Sequence, residues 1–136
     1  MIEIVYLHGF ASSPQSNKAR FFRRKFEQHG VAITIPDLDE GDFERLTITN
    51  QLQVIERTAG GRSVTLIGSS MGGYLAALYA ARHSEVERFV LLAPAFGFAR
   101  RWPESLGKAA VEDWRDTGWR TVFHYGEGRE RLRRTV

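Results

Sequence analysis

Gly68-Ser69-Ser70-Met71-Gly72 carries the spacing G-x-S-x-G with Ser70 at its centre; Ser69 cannot be central, because Ile67 stands two residues before it. A serine in that frame, at a turn from a buried strand into a helix, is a candidate nucleophile for acyl transfer. The flanking glycines allow close packing around strained backbone, and the hydroxyl is lifted to a helix N-terminus that favours developing negative charge. The alternative is a glycine-rich turn in which the serine only caps the helix. A second element, His8-Gly9-Phe10, follows another apolar run. In a parallel sheet both segments reach the carboxyl edge, where ligands bind. A tetrahedral oxyanion needs two donors, one from the residue after the nucleophile and one from such an early loop, which assigns the backbone N–H groups of Met71 and Phe10. His8-Gly9 also reads as an ordinary strand-ending turn, with His8 bracing the loop.

A serine nucleophile requires a base. Of the four histidines, His29 and His83 fall at the ends of helical patterns, where a cation complements the helix dipole. His124 lies downstream of Ser70 and is the better substitute base, His8 the weaker one. Asp37, Asp39, Glu40 and Asp42 crowd together without a histidine among them, which predicts a solvated loop and no metal site. Trp102, Trp114 and Trp119 either wall an acyl pocket or pack within their own segment.

The elements that must position these groups follow from periodicity. Glu3–Leu7, Val31–Ile35, Ser63–Ile67 and Phe89–Leu92 are short apolar runs bounded by Gly or Pro, as expected of buried parallel strands. Between them lie three helical patterns: Ser16–His29, with Ala19, Phe22 and Phe26 on one face and Gly30 as terminator; a stripe of Ile48, Leu52, Ile55 and Ala59 behind a Thr47 cap; and Met71–His83. Alternation at this spacing predicts a three-layer α/β/α sandwich around a mostly parallel sheet. After Pro94 the pattern becomes irregular, so residues 1–136 read as one domain in which 95–136 forms a cap or lid and adds no core strand.

The chain has 136 residues, 43% hydrophobic and 26% charged, and no cysteine. That composition suits a globular fold and excludes disulfides, thiolate metal ligands and a cysteine nucleophile. No apolar run reaches the roughly 20 residues needed to span a bilayer, and the first residues lack a signal pattern, so the expected location is cytoplasmic and no membrane partner is expected. The net charge of +3 comes largely from Arg20, Arg23, Arg24 and Lys25 and from Arg129, Arg131, Arg133 and Arg134. The first group reads as a solvated helix face and the second is interleaved with Glu127 and Glu130. No nucleic-acid-reading motif accompanies them, and no such partner is expected.

His8-Gly9-Phe10-Ala11-Ser12-Ser13-Pro14, Pro36-Asp37-Leu38, the stretch Gly68–Tyr74 and Leu91-Leu92-Ala93-Pro94-Ala95 together resemble the α/β-hydrolases, and most closely their small bacterial YqiA-type esterases. The resemblance covers the chain to about residue 100 and implies ester hydrolysis through an acyl-enzyme at Ser70, with His8, Gly9, Gly68 and Gly72 supporting the site and no cofactor. A partial cap and a modest pocket favour small acyl esters over long-chain lipids, with thioesters as the variant the same machinery serves. Family members continue into strands that bring a carboxylate and then a histidine. The expectation is therefore a hydrolase fold incomplete at its C-terminus. It is either active with a base from elsewhere or a catalytically inactive scaffold or binding module, and its open sheet edge invites a homodimer.

Overall fold

The computed structural model describes residues 3–134. Its core is a four-stranded parallel sheet in the order β2-β1-β3-β4, built from β1 (Glu3–Leu7), β2 (Ile33–Thr34), β3 (Val64–Ser69) and β4 (Val86–Leu92). Three helices connect them: α1 (Asn17–Gln28), α2 (Ile48–Ala59) and α3 (Met71–Arg82). Strand residues alternate between two apolar interiors. Val5, Leu7, Val64 and Leu66 pack with Val54, Ile55, Leu75 and Tyr79 of α2 and α3. Ile4, Tyr6 and Ile67 face Ala19, Phe22 and Phe26 of α1. Helices thus cover both faces, giving the α/β/α sandwich that continuous apolar strands imply.

The helix ends obey local chemistry. Ser16 caps α1 by accepting from Ala19 N–H, and Thr47 caps α2 by accepting from Asn50 N–H. Gly60 closes α2 at φ 59°, a left-handed conformation that suits glycine. Two strands differ from their sequence limits. Only Ile33–Thr34 of the 31–35 run pairs with β1, and β4 starts at Val86, ahead of its apolar run. The outer edge of β4 is unpaired among the described residues and leaves Phe89 and Val90 about half exposed, at 51% and 47%.

Residues 95–134 are not irregular. They form α4 (Phe98–Leu106), α5 (Lys108–Thr117) and an antiparallel hairpin of β5 (Trp119–His124) and β6 (Arg129–Arg134), separate from the main sheet. Their pattern is masked for physical reasons. Pro103 lies inside α4, although it has no N–H to donate to the helix. In β6 the half-buried positions are Arg131 and Arg133, whereas Leu132 points outward. An inward arginine needs acceptors, and Arg133 finds them in the backbone carbonyls of Phe43, Glu44 and Leu46. The hairpin thereby clamps onto a short 3-10 turn, Phe43–Arg45. No described helix is long and apolar enough to cross a membrane.

Candidate active site

β3 ends at Ser69 and α3 begins at Met71, so the whole change of direction falls on Ser70, with φ 55° and ψ −117°. Positive φ in a residue with a side chain costs on the order of 1–3 kcal/mol and must be imposed by its surroundings. The surroundings are visible. Ser70 N–H donates to Leu92 O at 2.9 Å, and Ser70 O accepts from Tyr74 N–H at 3.1 Å and Ala95 N–H at 2.9 Å. Ser70 itself is exposed and its hydroxyl makes no capping hydrogen bond to α3.

The two motif glycines are there for space. A Cβ on Gly68 would lie 2.2 Å from Gly72 O, and one on Gly72 would lie 2.0 Å from Leu7 O, both contacts to backbone. Their absence lets the first turn of α3 press against the end of β1, which brings the His8-Gly9-Phe10 loop to the serine: a Cβ built on Gly9 would sit 3.6 Å from Ser70 Cβ. Neither Phe10 N–H nor Met71 N–H has an acceptor among the described residues.

His8 is 1% exposed and fully engaged. Its Nε2 accepts from Leu38 N–H at 3.0 Å and its Nδ1–H donates to Gly9 O at 2.8 Å, so it braces the loop, as its sequence position implied. His124 is also spoken for. Its Nε2–H donates to Asp39 Oδ2 at 2.8 Å, its Nδ1 accepts from Glu127 N–H at 3.1 Å, and its ring meets Phe43 edge-on at 4.8 Å. This corrects two expectations: His124, 3% exposed, is a buried strut with no free nitrogen, and Asp39, 8% exposed, is not part of a solvated loop. Burial pushes the Asp39 pKa up, partly offset by the His124 hydrogen bond. His83 Nδ1–H donates to Tyr79 O at 2.9 Å and its ring stacks on that of Tyr79, while His29 ends α1; both helix ends lie at the opposite edge of the sheet.

His8, Asp37 and Asp39 place potential ligand atoms within 4.8 Å of one another. The only His8 lone pair in that group is already taken by Leu38 N–H, so the trio lacks the nitrogen a transition-metal ion would require.

Beside Ser70, α4 and α5 lean over the sheet edge and enclose a cavity of about 410 Å³. Phe10, Met71, Phe98, Trp102 and Trp114 supply its apolar wall. The rings interlock, with Phe10 5.1 Å from Trp102 and Trp102 5.2 Å from Trp114. Two of the three tryptophans therefore line a cavity; Trp119, 37% exposed, does not. On the α1 side of the sheet, Lys18 donates to Ser69 Oγ at 2.8 Å and ties that helix to the residue preceding Ser70. Sequence reasoning missed this link, as it missed the Asp39–His124 pair, because each joins residues far apart in the chain.

Residues 3–132 match the profile of the Uncharacterised protein family (UPF0227). The chain belongs to that family. Among solved structures, a candidate hydrolase of the α/β superfamily from Xanthomonas campestris pv. campestris aligns with a TM-score of 0.59 and 26% identity over 68% of this chain and 58% of that one. A candidate hydrolase from Agrobacterium vitis S4 aligns over 98% of this chain and 57% of that one, with a TM-score of 0.70 and 21% identity. The α/β hydrolase GrgF from Penicillium sp. sh18 gives 0.56 and 16% identity over 88% of this chain. The α/β-hydrolase fold is thus shared, and this UPF0227 chain spans less than two thirds of the length of the first two proteins.

Proposed function

We propose that the chain is the nucleophile-bearing part of a serine hydrolase that cleaves small acyl esters, and by the same chemistry thioesters. The observation that carries this reading is Ser70: an exposed hydroxyl held at positive φ, beside two backbone N–H groups with no acceptor among the described residues. Ser70 Oγ forms a bond to the ester carbonyl carbon while its proton passes to a base. The carbonyl oxygen becomes an oxyanion between Phe10 and Met71 N–H. Collapse expels the alcohol, which takes the proton, and water repeats the sequence to release the acid and restore Ser70. A well-placed oxyanion donor contributes about 2.7–4 kcal/mol in serine hydrolases generally. No cofactor enters the scheme, and residues 95–134 act as the cap of a single domain.

Among the described residues no histidine near Ser70 is free to act as the base. His8 and His124 are committed to Leu38, Gly9, Asp39 and Glu127, so the proton acceptor comes from outside the described residues or from a second copy docked at the β4 edge. The same observation favours a second reading, an inactive hydrolase scaffold. Labelling with a fluorophosphonate, alongside turnover of a short p-nitrophenyl ester, separates them. Labelling and turnover that vanish in Ser70→Ala support the enzyme; a chain that stays unlabelled is the scaffold.

A further inference from the structure

The cavity beside Ser70 is mostly apolar, and the charged residues in its wall are all arginines. Arg115, Arg133 and Arg134 all line it, and no carboxylate does. Among the described residues neither Arg115 nor Arg134 has an ion-pair partner, and both are exposed enough to reorient. Arg133 spends its two terminal nitrogens on backbone carbonyls of residues 43, 44 and 46, which leaves Nε buried with no partner. The closest charge influences on Arg133 are Asp39 and Asp42, neither of which lines the cavity. The charge in the wall of this apolar space is all of one sign, which favours an anion there, and the planar guanidinium fork matches a carboxylate. The N-terminus of α2, with Thr47 and Ile48 in the wall, adds its positive dipole end.

We propose that the cavity selects acyl groups that carry a carboxylate at their far end, so that the preferred substrates are half-esters of dicarboxylic acids. This rests on the Ser70 reading. With the carbonyl oxygen at Phe10 and Met71 N–H, the substituent on the carbonyl carbon enters the space those same residues line. The methylene chain then runs along the wall formed by Trp102 and Trp114, and the terminal carboxylate meets Arg115 and Arg134. A cavity of about 410 Å³ lies in the range of small-ligand sites, roughly 300–1,000 Å³.

The test is direct binding to the Ser70→Ala protein, followed by calorimetry and by Trp emission, so that it succeeds or fails whether or not Ser70 is the nucleophile. Monomethyl suberate should bind at least about 10-fold more tightly than methyl octanoate, the advantage of a charged hydrogen bond. That preference should shrink to within about 2-fold in the Arg115→Gln/Arg134→Gln protein and weaken with added salt. Equal binding of the two esters overturns the proposal, as does a preference that survives the double substitution. Octyl phosphate binding more tightly than monomethyl suberate would assign the arginines to phosphate and also overturn it.

Discussion

Replacing His124 with alanine removes more than a side chain from the hairpin. The 2.8 Å bond to Asp39 Oδ2 disappears, and Asp39 Oδ1 already lacks a partner, so a carboxylate that is 8% exposed is left with none. Glu127 N–H loses its side-chain acceptor and keeps only the carbonyl of residue 124, and Phe43 loses its edge contact. Removing one member of a buried pair costs about 3–5 kcal/mol. Proton uptake by Asp39 limits the damage, since burial already raises its pKa, and places the expected loss near the lower end, about 3 kcal/mol at neutral pH. Against a total stability of roughly 5–15 kcal/mol that is a large fraction. Urea unfolding reports it through Trp102, Trp114 and Trp119, all in the cap; at a slope of about 2 kcal/mol/M the midpoint falls by about 1.5 M. The sign with pH follows from Asp39. Because its folded pKa lies above the ordinary 3.8, the folded chain holds the proton longer than the unfolded one, and stability falls as pH rises from there through the folded value. Asp39→Asn, which keeps an acceptor for His124 and carries no charge, should therefore gain on the wild type over that rise and then level off. A His124→Ala midpoint within about 0.3 M of wild type would show that the pair does not hold the hairpin.

Three further outcomes are expected. Ser70→Gly should abolish fluorophosphonate labelling yet stabilise the chain by roughly 1 kcal/mol, because glycine adopts positive φ freely; a less stable variant in the same urea assay contradicts the strain. Gly72→Ala should cost at least about 3 kcal/mol or prevent folding, since the new methyl meets Leu7 O at 2.0 Å, and soluble, wild-type-like circular dichroism and melting would refute the contact. If copies associate through β4, Val90→Lys should turn a concentration-dependent sedimentation profile into that of a monomer, with no change in melting of the dilute protein.

The sandwich was legible because its signals are local. Apolar runs such as Glu3–Leu7 and the Ser16 and Thr47 caps depend on neighbours in sequence, and the Gly68–Gly72 turn declares itself by residue type. What stayed hidden depends on partners. Asp39 reads as solvated until His124, 85 positions away, is placed on it. The strand Arg129–Arg134 reads as a polar tail, because its inward residues are arginines whose acceptors are carbonyls from another part of the chain.

The hairpin's attachments also set an order of assembly. They join residues separated by 85 to 90 positions, and Gly126 N–H reaches Ala11 O at 3.1 Å from nearly the other end of the protein. Loop-closure entropy is paid before such contacts return anything, whereas each β-α step of the sheet closes over a short span. The sheet and its three helices can therefore form first, with Phe43 and Leu46 still open to water and the loop bearing Phe10 still loose. Only when the hairpin arrives does that loop acquire its last tether, so the surroundings of Ser70 settle after the sheet that carries it.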